Sequence, residues 1–494
     1  MTARTRIAPS PTGLGLHIGH IRTMLYDYAL AKNTNGQFIV RIEDTDQNRF
    51  VEGAVENILK TIKDYGLNYD EGPIVEGPYT PYVQSQRLEI YKKYALELIQ
   101  KGYAYYCFLT PEETEELQKQ ARLENKKLRS PYRNTSLEEA NTLIEQGKEH
   151  VVRLKVPEDE EIIFEDAILG RLKFNSNEVD DQILLKTDGF PTYHLAVVID
   201  DYLMKITHVL RGNDWLSSTP KHILLYRYLG WELPVFAHLP NLKEKNENRK
   251  LSKRYGAVFA SQFLEQGYLP EALLNFLMLL GWSSPIERKH GEAEKEIYSL
   301  QEFVELFSLD RVQKTALVSF DRDKLLWFNK EYIKAKSASD LKDIFLNWFK
   351  EHNQDKTLEE LVLQDNQLEG KISLIKERAG TLVDILCQLN FFYIKPENTD
   401  WNIKQLSAVS EHIDAIRKDL YNLHSSFNDD TKNWSHEEWE KGIRSIGDKY
   451  NAKHGDIFMV LRVAIVGMPF SPPLFESLQL MNKEDILSRL YPNS

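Results

Sequence analysis

The chain has 494 residues, 42% hydrophobic and 28% charged, with a formal net charge of −12. That is an ordinary globular composition, long enough at about 150 residues per domain for roughly three buried cores. The acidic balance argues against a uniformly basic nucleic-acid coat, two distant cysteines exclude a disulfide framework and a four-thiolate zinc site, and no apolar run approaches the roughly 20 residues that span a bilayer.

In chain order, TRIAPS reads as a short strand and PSPTGLG as a Pro/Gly turn. HIRTMLYDYALAKNTNG has helical spacing at Ile21, Leu25, Tyr28 and Leu30, with Gly36 available as its C-cap. QFIVRIEDTD is an apolar strand that ends in acids. Strand, helix and strand make a βαβ unit, so a parallel sheet with a right-handed crossover is predicted, its ligand edge carrying PSPTG and EDTD. Residues 79–186 mix a helix (VQSQRLEIYKKYALELIQKG) with short alternating strands (HVVRLKVP, GRLKFN) and read as an inserted α+β module. GFPTYHLAVVIDDYLM and KITHVLRGNDWLSSTPKHILLYRYLG then resume strand–helix alternation as a second half-sheet. From about 326 the pattern is helical, as in SASDLKDIFLNWFKEH, ISLIKERAGTLVDILCQL and HEEWEKGIRSIGDKY. The expected divisions are 1–78 and 187–240 for two halves of a nucleotide-binding fold, 79–186 for the insertion, 241–325 for a region holding the KLSKR loop, a stem contact by the resemblance given below, and 326–494 for a helical end of two subdomains.

Two basic runs stand out against the acidic whole. Residues 119–133 carry six basic side chains and one acid, and 243–254 six and two. A phosphate-binding surface needs only a local positive field, within a Debye length of about 10 Å. Such runs are equally the mark of a solvated face. The helical end is nearly balanced, 23 basic against 27 acidic residues over 322–494.

His17 and His20 stand one turn apart at the start of the first helix, where backbone N–H groups and the positive dipole end favour anions. Gly19 between them leaves the backbone bare, so a flat ring can stack there. The pair suits hydrogen bonding to phosphate oxygens as charge builds in a transition state. With a third ligand it would also suit zinc. In RKLSKR, Lys250 and Lys253 flank Ser252 in a polar loop, two flexible point charges fit to clamp a leaving pyrophosphate. A plain basic surface loop has the same composition.

HIGH followed some 230 residues later by KLSKR resembles the two signature motifs of class I aminoacyl-tRNA synthetases, the second as a variant of KMSKS. TRIAPSPTG, FIVRIEDTD, DEGP, GFPTYHLA, VLRGNDWLSSTPKH and the tail GMPFSPPLFESLQLMNKEDILSRL resemble, end to end, the bacterial-type glutamyl-tRNA synthetases. The resemblance implies a class I Rossmann-like fold with a parallel sheet, split by an α+β insertion and followed by all-α anticodon-binding domains. It implies that His17, His20, Lys250 and Lys253 act on ATP. The ATP site would comprise Ser10, Gly19, His17, His20, Asp214, Trp215, Leu251, Ser252 and Lys253. The glutamate pocket would comprise Arg6, Ala8, Ser10, Glu43, Tyr193 and Arg211, with Glu43 on the α-ammonium. Arginine fits a carboxylate because its planar fork binds both oxygens. Arg378 matches an anticodon-reading arginine, and the basic run from Lys126 to Arg133 would serve the acceptor end.

The implied cofactors are ATP with magnesium and no structural zinc, because Cys107 stands alone and RSPYRNTS offers no cysteine. The implied partners are L-glutamate and tRNA(Glu); members that also charge tRNA(Gln) are known, and both options stay open. A cytoplasmic monomer that needs tRNA before it activates glutamate is expected, and no protein nucleophile is required. Val197 stands where many relatives carry Asn, which removes a polar contact near the pocket. A small-molecule nucleotidyltransferase would not need the helical end, a non-catalytic relative would have lost the histidines or lysines, and a glutaminyl enzyme would show a β-barrel end in place of helices.

Overall fold

The computed structural model describes residues 2–491 apart from 14, 248–250, 252–257, 287–293, 397–398 and 428–434. The chain divides into two compact units, Met1–Phe263 with Leu273–Arg322, and Leu264–Ala272 with Asp323–Ser494. Among the described residues no helix is long and apolar enough to cross a membrane.

The first unit opens with β1 (Arg4–Ile7), α1 (Ile18–Asn33) and β2 (Gln37–Val40). β1 and β2 pair in parallel, with Arg4 opposite Gln37 and Ile7 opposite Val40. This is the βαβ unit that the sequence predicts. Burial of Ile18, Ile21, Met24 and Leu25 seats α1, each such side chain contributing about 1.5–3 kcal/mol. The C-cap differs from expectation. Asn35 takes the left-handed turn with φ 53°, and the Gly36 N–H closes the end on Ala31 O at 2.7 Å. Gly36 is required for another reason: a Cβ there would lie 1.7 Å from Ala3 O.

Next come α2 (Ala54–Asp64), α3 (Leu88–Gln100), β3 (Ala104–Cys107), α4 (Pro111–Leu123), α5 (Leu137–Glu145), β4 (Val151–Leu154), β5 (Glu161–Asp166), β6 (Gly170–Asn175) and β7 (Ile183–Leu185). β3, β4 and β7 form an antiparallel sheet around buried Asp181. Asp181 accepts from Tyr105 Oη at 2.9 Å, Arg129 Nη1 at 3.0 Å and Arg133 Nη1 at 2.5 Å. The basic run is thereby split. Arg129 and Arg133 neutralise an internal aspartate, and Lys126 and Lys127 remain exposed. The insertion is also not a separate body. β5 and β6 form a hairpin, and β5 joins β9 in parallel through the single pair Asp166 and Phe236.

The second half-sheet follows as α6 (Tyr193–Leu203), β8 (His208–Gly212), α7 (Thr219–Leu229) and β9 (Val235–Leu239). β8 and β9 are parallel, with Arg211 opposite His238. β8 lies beside β1, where the Thr207 N–H donates to Arg4 O at 2.9 Å. The order across the layer is therefore β6, β5, β9, β8, β1, β2, with the ends of β1 and β8 on one edge. β10 (Asn241–Glu244), α8 (Ala260–Glu265), α9 (Pro270–Met278), α10 (Leu300–Leu306) and β11 (Leu317–Phe320) complete the unit, β10 pairing in parallel with β11.

The second unit carries α11 (Arg322–Ala335), α12 (Ala338–His352), α13 (Lys356–Leu363), α14 (Leu368–Ile375), α15 (Leu382–Tyr393), α16 (Ile413–Ser426), α17 (His436–Lys449), α18 (His454–Val466), α19 (Leu474–Gln479) and α20 (Lys483–Leu490). Its core includes Phe345, Phe349, Ile372, Ile385, Leu389 and Leu461. ISLIKERAGTLVDILCQL, helical throughout by pattern, is two helices. Thr381 accepts from the Asp384 N–H while Asp384 accepts from the Thr381 N–H, a capping box that starts α15 afresh. Arg378 lies in that break. It is exposed, and its Nη1 donates to Ser471 O at 2.6 Å.

Candidate active site

The edge formed by β1, β8 and the starts of α1 and α6 holds a cleft of about 630 Å³, lined in part by Arg6, Ala8, Ser10, Glu43, Tyr193 and Arg211. A second hollow of about 320 Å³ adjoins it, lined in part by His17, Gly19, Asp214, Asn241 and Leu251. His20, Thr23, Gly212 and Trp215 line both. All six residues expected to hold glutamate line the larger chamber. Of those expected to hold ATP, His17, Gly19, His20, Asp214, Trp215 and Leu251 line the smaller and Ser10 the larger. Lys250, Ser252 and Lys253 lie outside the described residues.

The α1 N-terminus is fastened to the chain that follows KLSKR. The Ile18 N–H donates to Val258 O at 2.8 Å, and the His17 ring stands edge-on to Phe259 at 5.5 Å. Within KLSKR, the Leu251 N–H donates to Leu242 O at 2.9 Å. The two signature segments thus meet at one hollow. His17 precedes the helix as its extended N-cap. Its backbone N–H donates to His20 Nδ1 at 3.2 Å. An accepting Nδ1 leaves a neutral imidazole with its hydrogen on Nε2, a donor. A Cβ on Gly19 would meet nothing within 4 Å, so that stretch of helix backbone is open to a flat ring.

Arg211 is held from behind. Its Nε donates to His238 Nε2 at 3.1 Å and its Nη2 to Thr219 Oγ1 at 2.6 Å, and its Nη1 faces His222 Nδ1 at 3.1 Å. Its pKa is held down chiefly by burial, with the Tyr193 hydroxyl acting against that. Three of its five N–H groups are engaged in this way, and the Tyr193 hydroxyl at the chamber wall also hydrogen-bonds the guanidinium. His222, His194 and His238 are all kept uncharged by burial, His194 down to about 4, so the guanidinium is the one cation of this group. Tyr193 stacks toward Trp215 at 4.4 Å and walls the chamber.

Under the other side lies a buried lattice of charges. Asp201 accepts from Arg6 Nε at 3.1 Å and Arg41 Nη1 at 2.8 Å. Arg41 Nη2 donates to Glu43 Oε1 at 2.9 Å. Asp200, the next residue, accepts from Arg87 Nε at 2.8 Å and Tyr91 Oη at 2.8 Å. Arg6, Arg41 and Arg87 are all buried. Removing one member of such a set strands a charge, at about 3–5 kcal/mol. Burial raises Glu43 to about 7 against the pull of Arg41, so it is poised to ionise when a cation enters. Asp27 is buried with no hydrogen-bond partner on either carboxylate oxygen, and burial pushes its pKa far up.

Sequence reasoning missed Arg41, Asp200, Asp201, His238 and Asp166. The signal was present in RIED and IDDY, where charges interrupt apolar runs. Val197 is 2% exposed, belongs to the apolar core and is not among the residues lining the cleft. Among the described residues no group of three His, Cys, Asp or Glu is placed to hold a metal.

Residues 2–327 match the family described as tRNA synthetases class I (E and Q), catalytic domain, and 336–492 match an anticodon binding domain. A glutamate–tRNA ligase of Clostridioides difficile is 40% identical over 99% of this chain and 98% of its own. One from Borreliella burgdorferi is 40% identical over 99% and 98%. The crystal structure of a glutamate tRNA ligase from Elizabethkingia meningosepticum, in complex with its amino acid, superposes with a TM-score of 0.82 at 35% identity, covering 100% of this chain and 99% of that one.

Proposed function

Because the chain belongs to the class I tRNA synthetases for glutamate and glutamine, among the glutamate–tRNA ligases, we propose that it joins L-glutamate to the 3′ end of tRNA(Glu) at the two joined chambers. The observation that carries this reading is His20 lining both: the amino-acid chamber with Arg211, Arg6 and Glu43, and the hollow with His17, Gly19 and Leu251.

Glutamate is a dianion with one ammonium. The free N–H groups of Arg211 would take the side-chain carboxylate as a fork, and Glu43 would take the ammonium. Arg6, steadied by Asp201, adds positive field beside the α-carboxylate. Adenine would lie on the backbone at Gly19. An α-carboxylate oxygen attacks the α-phosphorus, the bond to the bridging oxygen breaks, and pyrophosphate leaves. The Nε2–H of His20 and the side chain of His17 would donate to oxygens that gain charge, and Lys250 and Lys253 would draw off the pyrophosphate. Magnesium would ride on the ATP phosphates and neutralise charge there. A hydroxyl of the terminal ribose then attacks the acyl carbon and AMP departs.

The insertion, residues 79–186, would receive the acceptor end through Lys126 and Lys127, and the helical unit would read the anticodon, with Arg378 exposed for stacking or hydrogen bonding. The reading includes a monomer in the cytoplasm and activation only with tRNA bound.

ATP–pyrophosphate exchange with glutamate, with and without tRNA(Glu) or tRNA(Gln), tests it. Exchange only with tRNA bound is expected, and the tRNA that supports it sets the discrimination. Exchange with both tRNAs would make the enzyme non-discriminating, and exchange without tRNA would remove the coupling. No exchange under any condition would overturn the assignment.

A further inference from the structure

We propose that Asp166 and His238 are a positioning pair that fixes Arg211 for the carboxylate of the amino acid, so that the inserted hairpin contributes to the amino-acid chamber. The inference rests on the assignment of Arg211 to glutamate above and deepens it.

Three neighbouring strands bring the three residues into a row. Asp166 ends β5 and pairs with Phe236, and His238 on β9 is opposite Arg211 on β8. An arginine has donors and no lone pair. The ring nitrogen that faces Arg211 Nε at 3.1 Å, His238 Nε2, is therefore the acceptor, and the ring hydrogen sits on Nδ1. Nδ1 faces Asp166 Oδ2 at 2.6 Å. The carboxylate is fixed in turn. Oδ1 accepts from the Ile168 and Leu169 N–H groups at 3.0 and 2.8 Å, and Oδ2 also from the His238 N–H at 3.1 Å. Both oxygens of Asp166 are thus fully committed as acceptors.

An Asn at this position has one acceptor and one donor. The tight turn at 167–169 keeps the acceptor, so the amide nitrogen, a donor only, faces both His238 Nδ1 and the His238 N–H. The ring must then move its hydrogen to Nε2, which sets N–H against N–H at Arg211 Nε. An aspartate that sets a histidine tautomer acts by the same logic in hydrolytic triads. The guanidinium would tilt, and its free edge would leave the line of the carboxylate. Asp166 and His238 line neither chamber and act through Arg211, which lines the larger one, so the effect is expected on glutamate.

The test is steady-state aminoacylation with tRNA, with KM for glutamate and for ATP measured separately and the melting midpoint recorded. Asp166→Asn keeps the turn and is expected to raise the glutamate KM about 10- to 100-fold, the scale of a hydrogen bond to a charged group, with ATP KM unchanged. His238→Leu, an apolar change of similar bulk, is expected to do the same. His238→Gln supplies an oxygen near the place of Nε2 and needs no aspartate, so its glutamate KM is expected within about threefold of the parent. Asp166→Asn added to His238→Gln should then raise the glutamate KM no further, while the melting midpoint falls because the residue-238 N–H loses its acceptor. An equal penalty for Asp166→Asn in both backgrounds, or no change in glutamate KM in the single variants, would overturn the pair while Arg211→Ala still raises that KM. If Arg211→Ala leaves the glutamate KM unmoved, the assignment of Arg211 itself falls.

Discussion

Glu43 Oε1 accepts from Arg41 Nη2 at 2.9 Å, yet burial still lifts Glu43 to about 7. The ionised form is the one that pairs with an ammonium. As pH falls through about 7 the carboxyl takes a proton and that pairing is lost. The glutamate KM is therefore expected to rise toward acid pH, about tenfold per unit once well below 7. Glu43→Gln should show a high KM that no longer follows pH over this range. A parent profile flat from pH 6 to 8 would remove Glu43 from the ammonium.

Arg211→Ala should raise the glutamate KM on the order of 100-fold or more, because truncating one partner of a buried charge pair costs about 2–5 kcal/mol. ATP binding should change little, since Arg211 lines the larger chamber only. Separate KM determinations for the two substrates check this.

Asp201 joins Arg6 and Arg41. Asp201→Ala leaves two buried guanidinium groups short of a counter-charge, and a loss of about 3–5 kcal/mol of stability is expected. Urea unfolding of parent and variant measures it. A loss below about 1 kcal/mol would mean that water or a moved side chain replaces the carboxylate.

Lys253→Ala should slow adenylate formation by at least an order of magnitude, the scale of losing one donor to a developing anion, and leave tRNA affinity nearly intact. Single-turnover exchange and filter binding separate the two. Equal loss in both would recast the lysine as a tRNA contact.

Cys107 is buried with its Sγ 3.3 Å from Ser130 Oγ, the setting of a core thiol. Metal analysis of the purified protein is expected to find no stoichiometric zinc, and a mole of zinc per chain would reverse this.

The βαβ unit was legible in the sequence because it depends on local pattern, and the expected site residues that line the chambers came through the short motifs of the family resemblance. What stayed hidden depends on partners far along the chain. Arg129 and Arg133 read as surface charge until Asp181 is seen beneath them. Nothing local in the sequence singles out Asp166; the β5–β9 pairing sets it beside His238. Gly36 looked like a cap, whereas the constraint on it is the carbonyl of Ala3. Val197 lies on the pocket-bearing helix α6 but turns into the core, an orientation that depends on how that helix is rotated.

Arg41 meets Asp201 across 160 positions of sequence. During synthesis the first βαβ segment leaves the ribosome with two arginines whose burial needs a carboxylate not yet made. At about 5–20 residues per second the interval is roughly 8 to 32 seconds. Over that interval Arg41 has Glu43 beside it, but the Asp201 carboxylate that joins Arg41 to Arg6 has yet to be made. A stalled chain shorter than 201 residues is therefore expected to leave Arg6 hydrated, and the layer beneath the cleft to be complete only once α6 has been translated.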